Sequence, residues 1–145
     1  EDLKIEGAEK TPDALVTVPF CVRSSGNVHK TYTVNWIDSK AMFGDEKQHK
    51  KNMDQFTAYT SRYGPGMVIY WFGFQDLLSD MDDDILVVGD FPSKGNLLFK
   101  CFEGPGIKAL RSNLKDRFGK NTHVKPAASR KGSREFYVLS QDPTG

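Results

Sequence analysis

A run of six apolar residues, Met67 to Phe72, has the length of a β-strand and offers no charged side chain to water. Such a run is typical of a strand buried on both faces of a sheet. Gly64-Pro65-Gly66 separates it from residues 45–63, which contain no Gly or Pro. The apolar side of that stretch recurs at helical spacing, at Met53, Phe56, Thr60 and Tyr63. The sequence therefore predicts a helix followed by a central strand, as in an α/β protein.

Short segments rich in β-branched and aromatic residues predict the remaining strands. They lie at residues 14–22, 31–41, 85–88, 96–102, 122–124 and 135–140. A second amphipathic helix is predicted at residues 107–118, closed by Gly119. Ser24 to Asn27 is a turn cluster, so the first two strands are expected to form a hairpin.

Alternation along the second strand indicates which side chains share a face. With a period of two, Val34, Trp36, Asp38 and Lys40 are predicted to point the same way. If the hairpin forms, Asp13 at the entrance of the first strand converges on Asp38. His29 and His49 have no evident partners and are expected at the solvated surface.

The composition is that of one ordinary domain. The chain has 145 residues, and no stretch approaches the roughly 18 apolar residues of a membrane helix. Cys21 and Cys101 stand far apart without a CxxC motif, so neither a zinc site nor a disulfide framework is expected. We expect reduced thiols and therefore an intracellular protein.

The charge changes sign along the chain. Residues 1–93 hold 9 Lys and Arg against 15 Asp and Glu, a net charge of −6, whereas residues 94–145 hold 11 against 4, a net charge of +7. This asymmetry predicts two segments, 1–93 and 94–145, of which the second is basic. A natural fusion, a joined gene model and a built chimera all fit this pattern.

Asp13, Asp38 and Lys40 form the constellation that carries chemistry. Paired carboxylates hold a hard cation such as Mg²⁺ and leave positions for water and phosphate. A lysine beside them can orient the attacking water or offset the charge of the transition state. These residue types therefore predict phosphodiester hydrolysis.

The arrangement P-D…D-x-K resembles the signature of the PD-(D/E)XK nuclease superfamily. Longer words are similar to the TPD-motif family within it: Thr11-Pro12-Asp13, residues 35–41, Phe43-Gly44-Asp45, residues 54–56 and residues 62–74. The resemblance covers about residues 10–92. It implies a Mg²⁺- or Mn²⁺-dependent nuclease with a restriction-endonuclease-like mixed sheet and a flanking helix.

The same resemblance implies roles for single residues. Asp13 and Asp38 would be the metal ligands and catalytic residues, with Lys40 beside them. Gln55 and Tyr59 resemble a Gln-x-x-x-Tyr pair that contacts DNA or the lysine. Nucleases of this superfamily usually add an acidic residue from a preceding helix, which is expected to be missing here, with Glu6 or Glu9 as substitutes. The family includes a nuclease that partners codanin in animals, so the resemblance implies a codanin-like partner beside DNA or RNA. It also implies a location in the nucleus or the cytoplasm.

The second segment resembles the C-terminal part of FtsJ/RrmJ-type RNA 2′-O-methyltransferases. Residues 97–106, 114–118, 124–130 and 133–139 carry the resemblance. It implies a C-terminal β-α-β-β extension, in which Lys100 and Glu135 match half of the family's Lys-Asp-Lys-Glu set. No Gly-rich loop for S-adenosylmethionine follows a strand in residues 1–93. We therefore expect no methyl transfer by this chain alone.

Four basic residues predict a nucleic-acid-binding loop between the last two strands, namely Lys125, Arg130, Lys131 and Arg134. The leading hypothesis is a metal-dependent nuclease. One alternative is a fragment or fusion of an S-adenosylmethionine-dependent RNA methyltransferase. Another is a nuclease-like scaffold that binds a protein partner without catalysis.

Overall fold

A computed structural model describes residues 10–23, 30–91, 97–102, 107–124 and 135–143. Seven strands form one mixed sheet in the order β4-β3-β2-β1-β5-β7-β6. The strands are β1 Ala14–Arg23, β2 Thr31–Lys40, β3 Gly66–Tyr70, β4 Ile85–Val88, β5 Leu97–Phe102, β6 Phe118–Val124 and β7 Glu135–Pro143. Neighbours in β2-β3-β4 are parallel and the other pairs are antiparallel. The predicted mixed α/β sheet and its C-terminal β-α-β-β extension are confirmed.

Two α-helices cover opposite faces of this sheet, α1 Glu46–Tyr63 and α2 Ile107–Arg117. Asp45 caps α1 by accepting the backbone N–H of Gln48 at 2.7 Å. A short 3₁₀ helix, Asp76–Asp80, leads to β4. Within the described ranges, no helix is long and apolar enough to cross a membrane.

Each face of the sheet has its own hydrophobic cluster. The α1-side cluster is built on Trp36, Phe56, Tyr59, Val68 and Tyr70. The α2-side cluster is larger, and it includes Ile37, Met67, Ile69, Leu110 and Phe118. Strand β3 contributes to both clusters and is buried at every residue, as its apolar run predicts.

The two segments of opposite charge meet in the middle of the sheet. Strand β1 pairs with β2 on one side and with β5 on the other. Ala14, Leu15 and Val16 lie opposite Cys101, Lys100 and Phe99. The acidic and basic segments therefore share one sheet.

The Gly64-Pro65-Gly66 turn is fixed by the middle of β2. The Pro65 carbonyl accepts the backbone N–H of Asn35 at 2.9 Å and its side-chain amide at 2.8 Å. Trp36 Nε1 donates to the Gly64 carbonyl at 2.8 Å. Gly64 has a φ of +88°, a conformation that favours glycine.

Strand β2 is irregular at this point, and one predicted face is wrong as a result. Val34 belongs to the α2-side cluster, whereas Trp36 belongs to the α1-side cluster. The register with β1 shifts between Leu15 and Phe20, beside Asn35, and the alternation of side chains breaks there.

Several predicted boundaries also differ from the structure, including the start of β6 and the end of β7. Strand β3 ends at Tyr70, and Phe72 is 70% exposed, because residues 70–73 form a turn in which the Gly73 N–H donates to the Tyr70 carbonyl at 3.1 Å. Helix α2 ends at Arg117 and β6 begins at Phe118, so Gly119 lies in a strand and does not close the helix.

Candidate functional site

Asp13 joins the start of β1 to the end of β2. Its Oδ2 accepts the backbone N–H of Ser39 at 2.8 Å. Burial, together with the negative charge of Asp38, raises the pKa of the Asp13 carboxyl to about 6. The structure thus brings the two carboxylates together, as the hairpin predicts.

Asp38 is only 3% exposed and faces Lys40 on the same side of β2. Lys40 Nζ lies 2.9 Å from Asp38 Oδ2 as an ion pair, but off the directions of a hydrogen bond. Burial raises the pKa of Asp38 above its ordinary value, although the Lys40 charge opposes that shift. Among the described residues, Oδ2 therefore lacks a hydrogen-bond donor in good geometry.

Lys40 is held between the carboxylate and helix α1. Its Nζ lies 5.8 Å from the centre of the Phe56 ring, within the range of a cation–π contact. One fifth of its side chain stays exposed. The ammonium can therefore reach solvent while it remains paired with Asp38.

Gln55 and Tyr59 lie one helical turn apart on α1 and contact each other. Gln55 Nε2 donates to the Tyr59 hydroxyl, which donates to the Thr11 carbonyl at 2.9 Å. Thr11 lies two residues before Asp13 in the chain. This pair holds the segment that carries Asp13, and its contact with nucleic acid stays a prediction.

A buried His49–Tyr70 pair lies beneath the site and was missed by sequence reasoning. His49 is 1% exposed, so the expected surface position is wrong, and its Nδ1 lies 2.8 Å from the Tyr70 hydroxyl. Burial lowers the pKa of His49. Burial and the charge of Asp38 both raise the pKa of Tyr70. Residue 49 precedes Met53 by one helical turn, so the α1 stripe could have indicated it.

The donor set fits a hard divalent cation. Mg²⁺ is commonly held by one or two carboxylates, with water and phosphate oxygens completing its shell. Asp13 and Asp38 supply two such carboxylates, and a bound cation would give the buried Asp38 Oδ2 a second positive partner beside Lys40. No group of three metal-ligating side chains occurs among the residues that the structure describes.

The other predicted site residues lie elsewhere. Lys100 lies in β5 opposite Leu15, and is half-buried. Glu135 pairs with Phe102 in the β5–β7 ladder, but its side chain lies outside the described residues. So do Glu6, Glu9 and His29, and the basic residues of the β6–β7 connection, Lys125, Arg130, Lys131 and Arg134.

Comparison with protein families identifies both segments. A family described as "Protein of unknown function TPD sequence-motif" matches residues 1–91. This chain belongs to the TPD-motif family. The FtsJ-like methyltransferase family matches residues 86–142, so the two matches meet at residues 86–91. The resemblances to the TPD-motif family and to the FtsJ-like family are confirmed.

The relatives of this TPD-motif chain include proteins with nuclease in their name. CDAN1-interacting nuclease 1 of Xenopus laevis is 43% identical over 103 residues, which cover 70% of this chain and 32% of the relative. The Homo sapiens protein of the same name is 40% identical over 103 residues, 70% of this chain and 34% of the relative. The chain spans about a third of the length of these relatives.

A methyltransferase relative matches a smaller part of the chain. Ribosomal RNA large subunit methyltransferase E of Halorhodospira halophila is 47% identical over 57 residues, 39% of this chain and 27% of the relative. No solved structure matches this chain.

Proposed function

We propose that this chain hydrolyses phosphodiester bonds of nucleic acids with the help of Mg²⁺ or Mn²⁺. The convergence of Asp13, Asp38 and Lys40 at the paired ends of β1 and β2 carries the proposal. The names of the relatives support a nuclease-related function for the family. We also propose the restriction-endonuclease-like arrangement that the P-D…D-x-K signature implies.

Each residue of the site has a distinct task in this proposal. A bound Mg²⁺ supplies positive charge at the scissile phosphate and makes the attacking water more acidic. Asp13 and Asp38 hold that cation. Lys40 Nζ orients the water or donates to a phosphate oxygen from the exposed end of its side chain. The Gln55–Tyr59 pair keeps Asp13 in place through Thr11.

The basic second segment supplies affinity for the substrate in this proposal. The four basic residues of the β6–β7 connection would contact phosphates, which predicts salt-sensitive binding. Because β1 pairs with β5, we propose that segments 1–93 and 94–145 work as one unit. The printed names of the relatives also support a CDAN1-like protein as a partner.

S-adenosylmethionine-dependent RNA methylation is a second candidate, favoured by the match of residues 86–142 to the FtsJ-like family. Lys100 and Glu135 are its candidate residues. It predicts binding of S-adenosylmethionine, which isothermal titration calorimetry measures. We expect no binding of S-adenosylmethionine. A dissociation constant in the micromolar range would favour methylation.

A metal titration tests the nuclease proposal. Labelled single- and double-stranded DNA and RNA are incubated with the chain over a Mg²⁺ and Mn²⁺ series, and melting temperature is followed in parallel. We expect metal to raise the melting temperature and drive cleavage. Asp38→Ala should lose both, with cleavage reduced by at least about 100-fold, as for other charge-stabilising groups.

Asp54→Ala is the matched control, because Asp54 is an exposed carboxylate on α1. It should behave as the parent does. A cooperative melt with no response to metal, or equal cleavage by Asp38→Ala, would contradict the proposal. The protein-binding scaffold would then remain, and it predicts that partner binding survives when Asp38 and Lys40 are both replaced by alanine.

A further inference from the structure

Within the described residues, α2 covers one face of strands β5, β7 and β6, and neither α-helix covers the other. Side chains toward α2 are buried: Cys101 and Ser140 are fully buried, and Val138 is 5% exposed. The alternate positions whose side chains the structure describes are Leu98, Lys100, Lys120, Thr122, Leu139 and Gln141. Leu98 is 37% exposed, Lys120 is exposed and the other four are half-buried. These six residues define the open face.

Strand register places the open face in continuous rows. Leu98 lies opposite Leu139, which lies opposite Thr122 on the next strand. Lys120 lies opposite Gln141. An apolar row, Leu98 and Leu139, therefore runs beside polar and basic positions.

The open face continues directly into the candidate nuclease site. Lys100 lies opposite Leu15, which packs against the α1-side cluster. Asp13 precedes Leu15 by two residues and so belongs to the same face. Diagonal neighbours of this kind in an antiparallel pair lie roughly 7–8 Å apart. The backbone thus brings Lys100 of the second segment beside Asp13 of the first.

Neither α-helix of the described chain covers this face. Helix α1 packs on β2, β3 and the 3₁₀ helix, and α2 packs on the opposite face. Lys100 and Lys120 are the charged residues among its described side chains, and residues 94–145 carry a net charge of +7. The open face is therefore basic and partly apolar, and it exposes Leu98 and Lys120.

We propose that the open face binds single-stranded nucleic acid and leads the strand to Asp13 and Asp38. Lys120 and Lys100 contact phosphates, and the Leu98–Leu139 row contacts bases. A duplex presents phosphates and sugars to a flat surface, whereas a single strand also presents its bases. The mixture of lysines with an apolar row matches the single strand. The part of this proposal that leads the nucleic-acid strand to Asp13 and Asp38 rests on the proposed nuclease function.

Binding is measured without metal, so that it does not depend on cleavage. Fluorescence anisotropy of a labelled 20-nucleotide single strand is followed with EDTA over a range of salt concentrations. Lys120→Gln should weaken binding and reduce the slope of log affinity against log salt by about 0.7, the value for one phosphate on a single strand. Leu98→Glu should weaken binding at least tenfold by placing a carboxylate in the apolar row.

Lys115→Gln is the matched control, because it removes one exposed lysine from α2 on the other side of the sheet. It should leave the slope unchanged, and melting curves should show that all three variants fold. Binding without metal-dependent cleavage would support the open face while contradicting the nuclease.

The proposal is overturned if Lys120→Gln and Lys115→Gln reduce the slope equally, or if neither changes it. It is also overturned if the duplex binds more tightly than the single strand. The proposal is overturned as well if the folded chain binds no nucleic acid. A protein partner or a second copy of the chain would then be the remaining occupants of the open face.

Discussion

Strands β2 and β3 are packed on both faces, whereas β5, β7 and β6 are packed among the described residues only against α2. In the covered region, burial raises the pKa values of Asp13 and Asp38. In the open region, Lys120 stands in water. Charged groups of the same sheet are therefore desolvated in one region, which suits chemistry, and solvated in the other, which suits binding.

The tightest contact of the covered region should give the largest effect on stability. A Cβ on Gly66 would lie 2.1 Å from Trp36 Cε2, and the Trp36 ring is fully buried against Phe56 and Tyr59. Gly66→Ala should therefore lower the free energy of unfolding by about 3 kcal/mol or more, as in other overpacked cores. Urea denaturation measures it.

Gly89→Ala is the control, because a Cβ there meets its nearest neighbour at 3.9 Å. It should change the free energy of unfolding by less than about 0.5 kcal/mol. Equal losses in the two variants would show that the covered region is no tighter at Gly66 than elsewhere.

The buried carboxylates should make stability depend on pH. Between the ordinary Asp13 pKa of 3.8 and the folded value of about 6, the folded chain binds more protons than the unfolded chain. The free energy of unfolding of the metal-free protein should therefore fall by about 2 kcal/mol as pH rises through this window. Asp13→Asn should flatten the profile, measured by urea denaturation in EDTA at each pH. An unchanged profile in Asp13→Asn would contradict the role of burial at this residue.

The contact between Tyr59 and Thr11 should matter less for stability. Tyr59→Phe leaves the Thr11 carbonyl without its donor, which should cost about 1–2 kcal/mol in the free energy of unfolding. Tyr63→Phe, on the same helix, is the control and should cost less than about 0.5 kcal/mol. If the two variants lose equal stability, the hydroxyl of Tyr59 does not hold the Asp13 segment.

The smallest effect is expected where an ion pair joins the two regions. Arg117 of α2 pairs with Asp90, and the side chains of both are partly exposed. Asp90→Asn removes the charge but keeps an acceptor for the Phe91 N–H. The loss in the free energy of unfolding should stay below about 1 kcal/mol and shrink in high salt. A larger loss would mean that this pair, and not the β1–β5 ladder, holds the segments together.

Local patterns predicted most elements because their causes are local. The turn at residues 64–66, the stripe of α1 and the β-branched strands can all be read within short windows. The convergence of Asp13 and Asp38 was predictable for the same reason, since one hairpin places both residues.

The remaining features depend on contacts between distant residues. The burial of His49 requires Tyr70, and the face of Val34 depends on how Asn35 binds the turn at Pro65. The pairing of β1 with β5 joins residues more than 80 positions apart, beyond any pattern within one segment. The support of Asp13 by Ser39 and Tyr59 is equally a product of the folded arrangement.

The β1–β5 ladder also sets the timing of folding during synthesis. Ala14 leaves the ribosome well before its partner Cys101, and at about 5–20 residues per second the delay is about 4–17 s. The outer edge of β1 lacks this partner throughout that interval. An unpaired strand edge readily joins another chain. The C-terminal segment thus completes the edge of the first strand in the nascent chain.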